Sequence, residues 1–141
     1  MTTSSDVMTK DPVCALPDDS VASVAQLMKK RDIGPVPIVE DQTSKKLVGI
    51  VTDRDLAIKV VAEGRDSHTT TVKEIMTKDV VTCRAEDRIE NTLKAMSQNQ
   101  LRRILVVDSD DRLVGIIAQA DVATRMNEPE RTGEMVKEIS Q

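Results

Sequence analysis

Thr52, Asp53 and Asp55 lie where one kind of chain gives way to another. The apolar run Leu47 to Val51 reads as a buried strand, and the apolar positions that follow, Leu56, Ile58, Val60 and Val61, suit a helix better. A strand therefore runs straight into a helix N-terminus, where unpaired amides and the positive end of the helix dipole favour an anion. Thr52 can donate its hydroxyl to a phosphate, and Asp55, one turn on, can accept both hydroxyls of a ribose. The same Thr-x-x-Asp spacing also makes a capping box, in which hydroxyl and carboxylate serve the helix's own first amides. Spacing alone leaves both uses open.

The chain makes this statement twice. Leu113 to Ala123 repeats Leu47 to Ala57 at a shift of 66, with six of eleven positions identical. Upstream, Val7 to Glu40 aligns with Ile75 to Asp108 at a shift of 68, and Met8-Thr9-Lys10-Asp11 recurs as Met76-Thr77-Lys78-Asp79. In the second copy Ala118 replaces Thr52 while Asp121 keeps the carboxylate. The first turn is thus predicted to be the better nucleotide site, and the second weaker, empty or differently selective.

At these residues the sequence resembles the cystathionine-β-synthase (CBS) domain family: a leading segment of the Asp6-Val7-Met8 kind, a helix, two strands, then Gly-h-h-Thr-x-x-Asp opening a second helix, where h is apolar. The resemblance spans roughly residues 5 to 125. The uninterrupted Thr52-Asp53-Arg54-Asp55 and the following Ile58-Lys59 are similar to the small stand-alone two-repeat members of the hypoxic-response type. The resemblance implies an α/β (α+β) fold, a Bateman module of two β-α-β-β-α repeats packed about a pseudo-two-fold. Each repeat would have a small three-stranded sheet with helices on one side. The expected boundaries are a flexible tail at 1–5, a first repeat at 6–64, a linker at 65–71, a second repeat at 72–125 and an amphipathic tail at 126–141.

The function implied is regulatory: an adenosine-containing ligand (AMP, ADP, ATP or an S-adenosylmethionine-like molecule) sensed in a cleft between the repeats and transmitted through dimer or partner packing. No cofactor is required. Gly34, Pro35, Val36 and Pro37 would wall the cleft beside the Thr52 turn and hold a purine with backbone and aliphatic groups. Arg102 would line the Asp121 cleft, and Arg103 would reach across to a phosphate at the Thr52 site, guanidinium forks being suited to phosphate. Two solvated arginines at a strand end are the plain alternative. A homodimer is expected, and because no effector domain is recognised in the chain, the output is expected to run through an unidentified effector protein or a change of assembly. The rival from another class is a structural or oligomerisation module whose clefts are vestigial.

Composition narrows the field. The 141 residues are 39 % apolar with a net charge of −4 and no Phe, Tyr or Trp. Mixed charge argues against a general nucleic-acid surface, and nothing is present to stack single-stranded bases. A purine would lie among aliphatic side chains, with Val36, Ile38, Ile50, Val13 or Met8 as neighbours. No apolar run approaches the roughly 20 residues of a membrane span, and the polar start is unlike a signal peptide, so a cytoplasmic protein is expected. Cys14 and Cys83 are not equivalent in the duplication and set no disulfide framework; a redox role for them is the third reading. A metal site is not expected from two cysteines and one histidine, His68. Ser20 and Ser23 have no neighbouring histidine in sequence and no Walker-type loop occurs, so catalysis is not expected.

The elements that must position the two turns follow from periodicity. Asp18-Asp19-Ser20 starts a helix with Val21, Val24, Ala25 and Met28 inward, ending near Asp32. Ile33 to Val39 is a strand whose Pro35 and Pro37 lack donors and place its start at an edge or against a ligand. Gly34 would let this wall come close to a bound group, and the helix after Thr52 should stop near Gly64. In the second copy Ile89, Leu93 and Met96 face inward, and Leu101 to Val107 forms the strand.

Overall fold

A computed structural model describes residues 1–125, which fold as two units: residues 13–80, and residues 1–12 together with the chain from Val81. The elements in chain order are α1 (Ser4–Val7), β1 (Thr9–Lys10), α2 (Val21–Arg31), β2 (Val36–Val39), β3 (Leu47–Val51) and α3 (Asp53–Leu56). A π-helical turn (Ala57–Val61) and a 3-10 turn (Val72–Glu74) come next, then β4 (Thr82–Arg84), α4 (Ile89–Gln98), β5 (Arg103–Val107), β6 (Leu113–Ala118) and α5 (Gln119–Arg125). The amphipathic tail expected at 126–141 lies outside the described residues.

In the unit of residues 13–80, α2 begins where the Ser20 hydroxyl accepts the Ser23 amide and ends where Asp32 turns left-handed at φ 54°. Its buried stripe is Val21, Val24 and Met28, with Leu27 packed beside it. Ala25, expected inward, is exposed because the face turns toward Leu27. Behind this helix β2 and β3 pair antiparallel, Val36 opposite Val51 and Ile38 opposite Gly49. Leu56 and Val60 join the core after the turn, and Gly64, at φ 68°, stops the helix as expected.

The two sheets differ by two outer strands, and proline accounts for one of them. The other unit holds a four-stranded sheet, β1-β6-β5-β4, in which β4 runs parallel to β5 over three residue pairs. In the first unit the matching segment meets β2 only at the bridge Ala15 to Ile38, leaving a two-stranded sheet. Pro37 stands where the repeat has Leu105, and Pro17 where it has Ala85, whose amide donates to the Val107 carbonyl at 3.1 Å; neither proline has an N–H to continue the ladder on its side of the bridge. Pro37 is therefore not at an open edge; it is buried beside Ala15, whose amide donates to the Pro37 carbonyl at 3.0 Å. The expected pair of three-stranded sheets becomes a four-stranded sheet and a two-stranded sheet flanked by bridges.

The leading segments dock crosswise to the repeats. Val7 and Met8, expected in the first copy, lie in the core of the unit that carries the second, with Ile89, Leu93, Met96, Ile104 and Ile117. β1 pairs with β6, Thr9 opposite Ile116 and Lys10 opposite Gly115. In the other unit Thr77 exchanges both backbone hydrogen bonds with Ile50, at 2.9 and 3.0 Å. Residues 1–5 are not a loose tail: the Thr2 carbonyl accepts the Ile89 amide, Ser4 donates to Asp87, and Ser4, 0 % exposed, meets the Thr92 hydroxyl. Residues 65–71 are likewise pinned, since Ser67 and Thr70 carbonyls accept the Ala22 and Val21 amides.

Both cysteines are free, Cys83 buried and Cys14 partly so, and burial pushes each thiol above its ordinary value. No helix among the described residues is long and apolar enough to cross a membrane.

Two capping boxes tie the chain to acid stability. Thr3 N–H donates to Asp6 at 2.8 Å and Thr71 N–H to Glu74 at 2.6 Å, and these bonds hold both carboxyls below their ordinary values of 3.8 and 4.5. Similar bonds from Ser44 and Thr43 depress Asp41, and from Arg112 and Asp110 depress Asp108. A lowered folded pKa adds stability above the unfolded value that disappears as pH falls through the folded one. Thermal midpoints should therefore hold steady down to about pH 5 and fall steadily below it. Circular dichroism melts from pH 7 to pH 3 check this, and Asp6→Asn with Glu74→Gln should flatten the fall.

Candidate functional site

The turn from β3 into α3 is closed on itself. Thr52 N–H donates to Asp55 Oδ2 at 2.9 Å, Asp55 N–H donates to Thr52 Oγ1 at 3.3 Å, and the threonine hydroxyl lies 3.3 Å from the same carboxylate oxygen. The capping-box use of Thr-x-x-Asp is thus realised. The same box recurs at Thr3 with Asp6 and at Thr71 with Glu74, so the motif by itself does not mark a ligand. The second oxygen of Asp55 is engaged as well: Lys59 Nζ stands 3.2 Å from Oδ1 and donates to the Ile75 carbonyl at 2.9 Å. Lys59 lies at i, i+4 from Asp55, a spacing that by itself predicts the pair.

The remaining wall residues divide by depth. Gly34 and Pro35 are half-buried beside the turn, and a Cβ on Gly34 would stand 3.3 Å from Asp53 Oδ1. Asp53 is exposed and accepts the Arg54 amide at 3.1 Å. Val36 and Pro37 do not present side chains to a ligand, because both are buried, Val36 within the core alongside Ile38. Ile50 and Val13 are half-buried; Met8 belongs to the core of the other unit.

The second copy builds its turn differently. Ala118 N–H donates to Asp121 Oδ2 at 3.3 Å, half a box with no hydroxyl to complete it. Thr9 Oγ1 lies 3.4 Å from the same oxygen, a contact that only the crosswise docking of β1 creates and that no sequence signal announced. Arg102 and Arg103 are exposed where β5 begins. Arg103 stands opposite Ala118 in the ladder, and the Arg102 carbonyl accepts the Gln119 amide at 3.0 Å. The structure thus groups Gly34, Pro35, Thr52, Asp53 and Asp55 in one unit, and Arg102, Arg103 and Asp121 in the other.

Asp55→Ala separates scaffold from site. It should cost about 1 kcal/mol of stability without ligand, through loss of the box and of the Lys59 pair, whereas Asp55→Asn should cost less. Urea unfolding with an unchanged m-value reads this directly.

Comparison with known proteins fits this architecture. The CBS domain family model matches residues 5–62 and again 72–128. The CBS domain-containing protein YhcV of Bacillus subtilis (strain 168) is 34 % identical over 140 residues, 99 % of this chain and 96 % of its own length. Among solved structures, Hypoxic Response Protein I with two coordinated zinc ions superposes with a TM-score of 0.79 at 36 % identity, covering 89 % of this chain and all of that one. Zinc belongs to that protein; among the described residues here no three His, Cys, Asp or Glu side chains gather to hold a metal. The CBS domain pair of protein MJ0100, solved with 5′-methylthioadenosine and S-adenosyl-L-methionine, gives a TM-score of 0.73 at 32 % identity over 87 % of this chain and 94 % of that one. With two family matches lying on the two copies of a duplicated strand-turn-helix, this chain belongs to the CBS domain family and carries a tandem pair.

Proposed function

We propose that this chain is a regulatory binding module rather than an enzyme, and that its ligand is a small molecule containing adenosine. The observation that carries the reading is the CBS pair at 32 % identity solved with two adenosine derivatives. Thr52, Asp53, Asp55, Gly34, Pro35 and Ile50 are assigned to the ligand in the first copy, Arg102, Arg103 and Asp121 in the second. Backbone, not the side chains of Val36 and Pro37, supplies the rest of the wall.

The closed cap gives the first turn a way to respond. A carboxylate has about four lone-pair sites; Thr52 takes two on Oδ2 and Lys59 one on Oδ1, so one ribose hydroxyl can join Oδ1 but a pair of them must displace Lys59 or the Thr52 hydroxyl. Lys59 also bonds Ile75, so a sugar that displaces it loosens the hold on the segment from Val72 onward. Ligand binding at Asp55 would in this way reach Thr77 and its bridge to Ile50. The output would pass to a second copy of the chain or to an effector protein. Ile58 and Val61, exposed apolar residues at helical spacing, offer a surface for the second copy.

The second reading, a pairing module without a physiological ligand, is favoured by the full use of Thr52 and Asp55 within the turn. Thermal unfolding with adenosine, AMP, ADP, ATP, S-adenosylmethionine and GMP separates the two. A ligand at 100 times its dissociation constant should add about 2.7 kcal/mol, and sedimentation with and without it reports any change of assembly. No shift with any of them would falsify the sensor reading.

A further inference from the structure

A methionine lies over a glycine in each unit, Met8 over Gly115 and Met76 over Gly49, and a Cβ on either glycine would run into the sulfur. The two contacts are alike in build and unlike in exposure. Met8 is 6 % exposed, whereas Met76 is half-buried while still packed against the core of its unit. Of the other described methionines, Met28 and Met96 are buried, and Met1, 82 % exposed, belongs to neither core. Among the described residues, Met76 is thus the one methionine both packed into the fold and partly open to solvent.

The segment that Met76 anchors is also the more lightly tied of the two. β1 forms two residue pairs with β6, but in the other unit a single bridge, Ile50 with Thr77, joins the segment to β3. Beyond it Thr77, Lys78 and Asp79 are exposed. The amides around the sulfur are already in use: Met76 N–H donates to the Val72 carbonyl at 2.9 Å, and Ile50 and Thr77 donate to each other. An oxygen added to the sulfur would find no free donor among them.

We infer that Met76 is a site of reversible oxidation by hydroperoxides, and that its sulfoxide releases Met76 and Thr77 from β3. The sulfur lone pair attacks one peroxide oxygen, the O–O bond breaks as the S–O bond forms, and the second oxygen leaves as water with the transferred proton. The thioether loses two electrons and the peroxide gains them. A strong acceptor then sits where the site offers only apolar contact, and it is satisfied only by turning to water. The side chain takes its segment with it, and the single bridge opens. Met8, in the same packing but shielded, stays reduced. Ile50 lies two residues before Thr52, so the loosening reaches the start of that turn, whatever the turn binds.

The test is hydrogen peroxide on the full chain, with sulfoxide at each methionine followed by peptide mass spectrometry and backbone opening by amide hydrogen exchange. Met76 should oxidise after Met1 and before Met8, Met28 and Met96. As it does, the Ile50 and Thr77 amides should exchange about tenfold faster or more, with the pairs of β1 and β6 unchanged. Methionine sulfoxide reductases of both epimer classes, with dithiothreitol as the two-electron donor, should restore the slow exchange. Met76→Leu keeps an apolar side chain of similar volume without a sulfur. It should fold with slow exchange at both amides and keep it through the same peroxide dose, although Met1 still oxidises. If Met76 reacts no faster than Met8, if its sulfoxide forms with both amides still slow, if the reductases fail to restore them, or if Met76→Leu opens equally under peroxide, the inference is overturned.

Discussion

Met8→Ala is expected to destabilise the protein by about 2–5 kcal/mol, the range for truncating a buried methionine where neighbours cannot fully collapse. Met8 is 6 % exposed and packs among Ile89, Leu93, Met96 and Ile117. Its sulfur lies over Gly115, where a Cβ would collide with it. The location of the loss matters as much as its size. Native-state hydrogen exchange should show protection falling in α4, β5 and β6, with β2 and β3 unchanged. A docking of Val7 and Met8 within their own repeat would give the reverse pattern.

Gly49→Ala tests the same exchange from the other unit. The new methyl would stand 2.7 Å from Met76 Sδ and 2.9 Å from the Thr77 carbonyl oxygen. The sulfur ends a flexible chain and can swing aside. The carbonyl cannot, because it accepts the Ile50 amide at 3.0 Å and its residue donates back at 2.9 Å. Opening that bridge should cost about 1–3 kcal/mol. Adding Met76→Ala should recover only part of the loss, since the carbonyl remains. Urea unfolding of the single and double variants gives the comparison; full recovery would mean that sulfur crowding, not backbone contact, requires glycine there.

These two glycines show how far the sequence could be read. The duplication, the two strand-turn-helix corners and the inward faces of α2 and α4 were legible because periodicity and repetition report on burial. Crosswise docking was not. Met8-Thr9-Lys10-Asp11 and Met76-Thr77-Lys78-Asp79 are identical, and each can lie across either Leu-Val-Gly-Ile strand, so local pattern is neutral between the two arrangements. The Thr52 turn was ambiguous for a related reason: a capping box and a sugar-phosphate site call for the same hydroxyl and carboxylate at the same spacing, and only distances distinguish them. The missing N–H of Pro37 was legible, but the expectation of an edge or a ligand beside it did not foresee that the fold puts Ala15 there. Lys59 was legible from its i, i+4 spacing to Asp55, whereas Thr9 reaches Asp121 across 112 residues and only through the docking of β1.

The segment from Val13 to Val80 interrupts a unit that is finished only by chain on both of its sides. Ser4 and Thr92, whose hydroxyls meet, are 88 residues apart. On a translating ribosome the inserted portion is whole well before its surroundings, and it can settle while β6 is still unmade. Residues 1–12 emerge before that portion yet find their places after it, with Val7 and Met8 bare to water in the interval. Nascent chains arrested before Leu113 should accordingly be sticky around Val7 and Met8 and already ordered from Val13 to Val80.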